Sequence, residues 1–340
     1  MSEIISYERV CGIDVAKDSL DLHLIAAVTL AKSFPNSPEG LDRIVKLCQH
    51  HQVQIITLEA TGGLQRPLAV ALAQAQLCVA VINPSRIRFY ALAEGLIAKT
   101  DKVDARMIAQ FTLKLRPKPT LLRNEEQERL ARLVTRKTQL ISCKVAEENR
   151  LQQQTLREVL KNISTHLKFL ERQIASIDAL LELTVQQDPE LLAKVEMADS
   201  AIGVGRASAI ALVVSMPELG TVTGKQAASL AGLAPFNRDS GKVIGERHIF
   251  GGRAAIRCTL YMCALSAVRY DPKIRQMYLR LLEAGKCKMK ALTACMRKML
   301  VILNAKVRDA LAQRAMAAVA VATARAAVAA STPRRAKEGL

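Results

Sequence analysis

The 340-residue chain contains no tryptophan, and phenylalanine and tyrosine bring its aromatic content to only 3%. Exposed rings are therefore too few for base stacking to be the main way of holding a nucleic acid. The eight cysteines (Cys11, Cys48, Cys78, Cys143, Cys258, Cys263, Cys287 and Cys295) form no Cys-x-x-Cys pair and have no histidine pair nearby. A zinc site is not expected; they read as reduced thiols. No run of about twenty strongly apolar residues could span a bilayer, and no secretory signal opens the sequence, so the expectation is a soluble cytoplasmic protein with no membrane partner. Acids are also in short supply: 49 Lys plus Arg against 31 Asp plus Glu leave a formal net charge of +18. Such a surface calls for a polyanion, with nucleic acid first and an anionic membrane surface second. A chain of this length can bury a large core and divide into two or three domains.

In the amino-terminal third, Val10 to Ile13 form a short apolar strand that ends on Asp14. Leu20, Leu22 and Leu24 then alternate with Asp21 and His23, as in a half-buried strand, and Ala31 to Phe34 supply a third. Pro35 to Pro38 launch a helix with Leu41, Ile44, Val45 and Leu47. Ile55 to Glu59 read as a strand ending on an acid, Gly62-Gly63 turn the chain into a helix through Leu68 and Leu72, and Val79 to Ile82 form a further strand closed by Asn83-Pro84. Next comes a helix opened by Asp101 and Asp104, whose spacing puts both on one face, with Val103, Met107, Ile108 and Phe111 as its apolar stripe. Alone, Asp101 would be a cap and Asp104 a complement to the helix dipole. In a mixed sheet, however, the ligand crevice lies at the carboxyl ends of parallel strands, where Asp14, Glu59, Asp101 and Asp104 could converge. Four carboxylates in one pocket repel one another unless a cation joins them. A hard divalent ion, Mg²⁺ above all, suits an all-oxygen site, and two such ions about 4 Å apart suit displacement at a phosphodiester.

Three motifs occur in order: Gly-Ile-Asp-Val-Ala-Lys at 12–17, Leu-Glu-Ala-Thr-Gly at 58–62 and Lys-Thr-Asp-Lys-Val-Asp-Ala-Arg at 99–106, with Asn83-Pro84 between the second and third. Together they resemble the ribonuclease-H-like, RuvC-type domain of the DEDD insertion-sequence transposases, a family of bridge-RNA-guided DNA recombinases. The resemblance implies a RuvC-like metal-binding catalytic domain over 1–120. From Asn124 to Asp188 there is no Gly and no Pro, which predicts long helices. A second helix there is expected to be capped by Asn162 or Ser164, and Leu167, Leu170, Ile174, Ile177 and Leu181 form a narrow seam along it. That seam serves either a hairpin folded on itself or pairing between chains. The family implies a coiled-coil arm over 121–190 that joins protomers as a dimer or tetramer.

Beyond it, a mostly helical transposase domain is expected over 191–314, then a low-complexity tail over 315–340. Ile202-Gly203-Val204-Gly205-Arg206 is similar to a helix-hairpin-helix turn, in which glycines let backbone amides approach a phosphate; an ordinary glycine-containing link is the alternative. The segment 234–242 is a loop by composition. An Asp-Ser-Gly triplet such as Asp239-Ser240-Gly241 is ordinarily a polar turn. The family, however, carries a loop serine before glycine here, followed by a Gly-Arg-x-x-x-Arg-x-x-Leu-Tyr-Met run that reads Gly252 to Met262 in this chain. The resemblance therefore makes Ser240 the nucleophile. Arg238, Lys242, Arg253 and Arg257, with Gly203, Gly205 and Arg206, become nucleic-acid contacts, although a solvated basic face would explain the cations equally well. On this reading the protein is a nucleoid-associated recombinase that cleaves and exchanges donor and target DNA through a phosphoserine link, with Mg²⁺ as cofactor and a noncoding guide RNA as partner. The main alternative is a RuvC-like Holliday-junction endonuclease that uses water in place of Ser240. A non-catalytic nucleic-acid-binding protein and an actin-like ATPase, suggested by Gly12-Ile13-Asp14, are the remaining readings.

Overall fold

The computed structural model describes residues 7–96, 101–237, 239, 241 and 245–331, the side chains of 101–103, 317–322 and 324–331 excepted. The chain divides into two compact units, Met1–Arg123 and Asn124–Leu340.

The first unit is built on a five-stranded sheet of β1 (Val10–Val15), β2 (Ser19–Ile25), β3 (Leu30–Pro35), β4 (Ile55–Glu59) and β5 (Val79–Ile82), in the order β3-β2-β1-β4-β5. The first three strands are antiparallel neighbours, and β4 and β5 run parallel to β1, with Ile13 opposite both Leu22 and Leu58. This is the mixed sheet expected from the strand pattern. Side chains alternate between its faces. On one face Ile13, Leu22, Leu24 and Leu58 pack with Ile44 and Cys48 of α1 (Pro38–His50) and Leu68 and Leu72 of α2 (Arg66–Gln74). On the other, Val10, Ile55 and Ile82 pack with Ile87 and Tyr90 of α3 (Pro84–Ala93) and Met107, Ile108 and Phe111 of α4 (Asp101–Leu115).

Helix α3 was not among the expected elements. Its start is nevertheless written in the sequence: the Asn83 side chain accepts a hydrogen bond from Ser85 N at 2.9 Å, and Pro84 occupies a first-turn position that needs no N–H donor. An edge-to-face contact between Tyr90 and Phe111, at 5.7 Å between ring centroids, and a 2.9 Å ion pair from Lys114 to Glu94 tie α3 to α4.

Helix α4 lies against β1 more closely than side chains would permit. A Cβ added to Gly12 would sit 2.2 Å from the Ala109 nitrogen and 2.7 Å from the Ala105 oxygen, so only glycine lets the helix backbone rest on the strand. Ala105 and Ala109, both buried, supply the matching small surface on the helix.

The second unit begins with two long helices, α5 (Glu125–Gln153) and α6 (Arg157–Gln187). The Asn124 side chain and Gln127 form a reciprocal capping box at the start of α5. Helix α6 starts earlier than expected. Asn162 and Ser164 lie inside it, on either side of buried Ile163, because the chain breaks at extended Gln154 and the cap preference of these two residues yields to packing. The two helices form a hairpin held by ion pairs from Lys137 to Asp178 and, at 2.8 Å, from Lys144 to Glu171. Of the seam residues, Leu170 and Leu181 are buried.

The helices that follow are α7 (Pro189–Asp199), capped by Asp188, α8 (Arg206–Ser215) and α9 (Gly224–Leu230). A two-stranded hairpin, β6 (Pro235–Phe236) and β7 (His248–Ile249), precedes α10 (Ala254–Tyr270), α11 (Pro272–Glu283) and α12 (Lys288–Ser331). Leu130, Val134, Leu181 and Val185 at the base of the α5–α6 hairpin share one core with Ile210, Val213, Leu260, Leu300 and Leu303. Among the described residues no helix is long and apolar enough to cross a membrane.

The β1–α4 crossing yields a stability prediction. Gly12→Ala should destabilise the folded protein by about 2–3 kcal/mol, because a backbone, unlike a flexible side chain, cannot yield to the new methyl group. Denaturant unfolding measures this, and a change below about 0.5 kcal/mol would show that the crossing tolerates a side chain.

Candidate active site

The acids of the first unit gather through the register of the central strands. Ile13 of β1 lies beside Leu58 of β4, so Asp14 and Glu59 each stand one residue further along adjacent parallel strands. Gly12 faces α4, and the period of two brings Asp14 back to that same face. Helix α4 opens with Asp101, one turn before Ala105, and Asp104 immediately precedes Ala105, whose backbone meets Gly12. Glu59 and Asp104 line one cleft of about 490 Å³ together with Pro84, Ser85 and Arg88 of α3 and Met107 of α4. His23, opposite Gly12 on β2, has its pKa lowered first by burial and then by the positive charge of Arg106 on α4. The ring therefore stays neutral until the pH falls below its ordinary range.

The structure thus brings Glu59 and Asp104 into a shared cleft and puts Asp14 on the same sheet face. Among the described residues no three His, Cys, Asp or Glu side chains are grouped closely enough to hold a metal ion. The side chain of Asp101, the remaining acid, lies outside the described residues. The donor set is all carboxylate oxygen, the chemistry that hard divalent cations prefer. Ser85 and Arg88 are additions from the structure: nothing in the sequence points to their place beside Glu59 until α3 is recognised.

In the second unit, Ser240, Arg238 and Lys242 lie outside the described residues. The loop that carries them is anchored on both sides. Pro235 pairs with Ile249 and Phe236 with His248, so His248 stands on the opposite arm of a hairpin. Asp239 Oδ1 accepts a 3.1 Å hydrogen bond from Gly245 N across the loop. At its base two glycines cross: a Cβ on Gly252 would lie 2.1 Å from Gly232 N, and one on Gly232 would lie 2.1 Å from Gly251 O. Both glycines have positive φ, +67° and +66° in sequence order, which a side chain would resist.

The two arginines of the Gly252 to Met262 run clamp this crossing. Arg257 donates to the Ala231 and Gly251 carbonyls, and Arg253 makes a two-pronged pair with Glu218, at 2.6 and 2.8 Å, and donates to Ser215 O at 3.0 Å. Arg206 is similarly engaged with Glu182, at 2.6 and 3.1 Å, and the guanidinium holds the Glu182 carboxyl below its ordinary pKa. A nucleic-acid role for these three arginines would require them to exchange or share internal partners. Gly203, with φ +90°, is a close approach to α10, where a Cβ would lie 2.7 Å from Ala267 N. Gly205 is the N-cap of α8, with open space where its side chain would be.

Two family models match the chain. A DEDD transposase model of the IS110 type covers residues 11–161, the segment that holds all four acids, and the model described as "Transposase IS116/IS110/IS902 family" covers residues 196–279, the segment that holds Ser240, Arg253 and Arg257. The chain belongs to the IS110/IS116/IS902 family of transposases.

Among relatives of this transposase, the pilin gene-inverting protein of Moraxella bovis is 29% identical over 313 residues, 88% of this chain and 95% of that one. An insertion element IS110 protein of Streptomyces coelicolor is 27% identical over 202 residues, 56% of this chain and 49% of its own length. Among solved structures, Thermus thermophilus RuvC in complex with Holliday junction substrate matches at 16% identity with a TM-score of 0.27, covering 33% of this chain and 99% of that one. The transposase is accordingly an enzyme of the transposase/recombinase class, which acts on DNA.

The loop base of this transposase can be tested through its clamp. Glu218→Gln should cost about 1 kcal/mol of stability, because the pair with Arg253 is partly exposed and solvent weakens it. It should also raise proteolytic cleavage within residues 236–248 several-fold. Unchanged cleavage in that segment would show that the pair does not support the loop.

Proposed function

We propose that this transposase cuts and rejoins DNA by a serine-based exchange assembled from two parts, the carboxylates Asp14, Glu59, Asp101 and Asp104 and the hydroxyl of Ser240. The observation that carries this reading is the cleft shared by Glu59 and Asp104 beneath a helix whose backbone is fixed against β1. Domains of the DEDD type generally work with a divalent metal ion. Mg²⁺ held by the four acids would neutralise charge on the scissile phosphate and polarise it. As the Ser240 Oγ–phosphorus bond forms, one sugar oxygen leaves and takes up a proton, while the serine proton passes to solvent. A sugar hydroxyl of the second strand then attacks the phosphoserine, releasing Ser240 and remaking a phosphodiester. No nucleotide cofactor is required, because the bond energy stays in the link.

A pilin gene-inverting relative favours exchange over hydrolysis, because inversion needs each cut strand to be rejoined. The proposed arrangement has a metal domain over 1–120, an arm over 121–190, a serine domain over 191–314 and a tail over 315–340. Exposed Ile141 and Val145 of α5 and Leu180 and Leu183 of α6 give the arm an apolar surface for a second protomer, supporting a dimer or tetramer. A noncoding guide RNA is proposed as the sequence-reading partner, in keeping with the surplus of positive charge. Arg238 and Lys242 would steady phosphate near Ser240, and Gly205 would offer the amides of α8.

The decisive experiment compares two variants on a supercoiled substrate that carries the element's ends. Asp104→Asn should lower cleavage by about 10³-fold or more, and chelation of divalent metal should do the same, with DNA binding retained. Ser240→Ala should abolish both strand exchange and a protein–DNA adduct trapped in denaturant. If it still cleaves at the parental rate, water is the nucleophile and the enzyme is a hydrolytic nuclease.

A further inference from the structure

A second cleft, of about 830 Å³, opens in the second unit, and none of its lining residues belongs to the serine loop or its clamp. Its walls are the Ser200–Ile202 turn between α7 and α8, helix α11 from its start to Arg280, and the Lys298-to-Lys306 stretch of α12. Four cations line it (Lys273, Arg280, Lys298 and Lys306) against a single acid, Asp271. That acid is already occupied, accepting from the backbone nitrogens of Lys273 at 2.8 Å and Ile274 at 3.3 Å as the cap of α11. Lys306 is held by the Ser200 hydroxyl at 3.2 Å.

The cleft gathers its cations with little acid among them, whereas other cations of the unit have carboxylate partners, as Arg206 has in Glu182, Arg253 in Glu218 and Lys290 in Glu246. Among the described residues no carboxylate forms an ion pair with Lys273, Arg280 or Lys298. Four positive groups around one concavity set up a local positive potential that favours an anionic ligand. The cations are also spread out. Lys273 and Arg280 are separated by roughly 10 Å along α11, and Lys298 and Lys306 by roughly 12 Å along α12, at 1.5 Å per residue. One phosphate cannot reach them all; a run of consecutive phosphates can. No aromatic side chain lines the cleft, which argues against base stacking and for contact with the backbone.

We propose that this cleft holds the sugar–phosphate backbone of a nucleic-acid strand, at a site separate from the phosphate that reacts. The proposal deepens the recombinase reading by giving it a second nucleic-acid contact. Its readout is binding, not cleavage, so it can fail while that reading stands. The full chain is titrated against a labelled duplex DNA and a labelled single-stranded RNA, each of arbitrary sequence, over a range of salt. The triple variant Lys273→Gln, Arg280→Gln, Lys298→Gln should flatten the log–log salt dependence by about 2–3 for duplex DNA, at about 0.9 per phosphate contact, or by about 2 for the single strand, at about 0.7 per contact.

A control triple on exposed α6 positions, Lys161→Gln, Lys168→Gln, Arg172→Gln, removes the same charge and should change the slope by less than about 1. A loss confined to DNA or to RNA identifies which strand occupies the cleft, and either supports the proposal. Equal behaviour of the two triples with both polymers overturns it. The charge-preserving triple Lys273→Arg, Arg280→Lys, Lys298→Arg should keep the parental slope. If that variant also loses it, positive charge is not what the cleft contributes, and the proposal fails.

Discussion

The contact between the backbone of α4 and β1 at Gly12 is the constraint on which the first unit turns. Acids on strands and acids on a helix come within reach of one cleft when the two elements approach closely, and a side chain between the elements would hold them apart. Gly12 removes the obstacle on the strand, and Ala105 and Ala109 remove it on the helix. Once the helix is down, Asp104 reaches the cleft that Glu59 also lines, and Met107, Ile108 and Phe111 on the same helix bury against β-strand residues and α3. Packing and site geometry therefore come from one crossing. The Gly-Ile-Asp motif combines both functions within three residues: the glycine sets the approach, the isoleucine enters the opposite core, and the aspartate faces the cleft side.

A similar economy governs the second unit. The serine loop is long and polar, and its ends are held by a crossing of Gly232 with Gly252 at which neither position leaves room for a Cβ. Arg253 and Arg257 hold that crossing by satisfying backbone carbonyls and Glu218. Their appearance in a basic sequence motif suggests phosphate binding, and in the structure their hydrogen bonds go to internal partners. Charge in sequence is ambiguous because a guanidinium serves equally well for carbonyl, carboxylate and phosphate. The neighbouring residues decide among these, and they come from distant parts of the chain. The cations of the second cleft present the opposite case: they are scattered over α11 and α12, form no motif, and become a set only when those helices pack.

Much of the architecture was legible from local pattern. The five strands, the α1 and α2 helices, the Asp101 helix and the glycine-free helical stretch all follow from alternation, helical spacing and turn residues. Helix α3 escaped because its apolar residues lack a clear stripe, leaving only the Asn83 and Pro84 start signal to mark it. Asn162 and Ser164 misled for the converse reason: they are good caps by type, but Ile163 between them is buried and the helix continues through.

The sequence by itself determined the chemical inventory: hard oxygen donors at strand and helix ends, a surplus of positive charge, a serine in a polar loop, and the order of strands and helices along the amino-terminal third. Those properties depend on residue type and on periods of two or 3.6 residues, which are local along the chain. Only the tertiary structure decided that α4 rests backbone to backbone on β1, that Ser85 and Arg88 border the acidic cleft, that Arg206, Arg253 and Arg257 have internal partners, and that four distant cations line one groove. Each of these depends on which surfaces meet across long sequence separations, and close packing settles that for the whole chain at once.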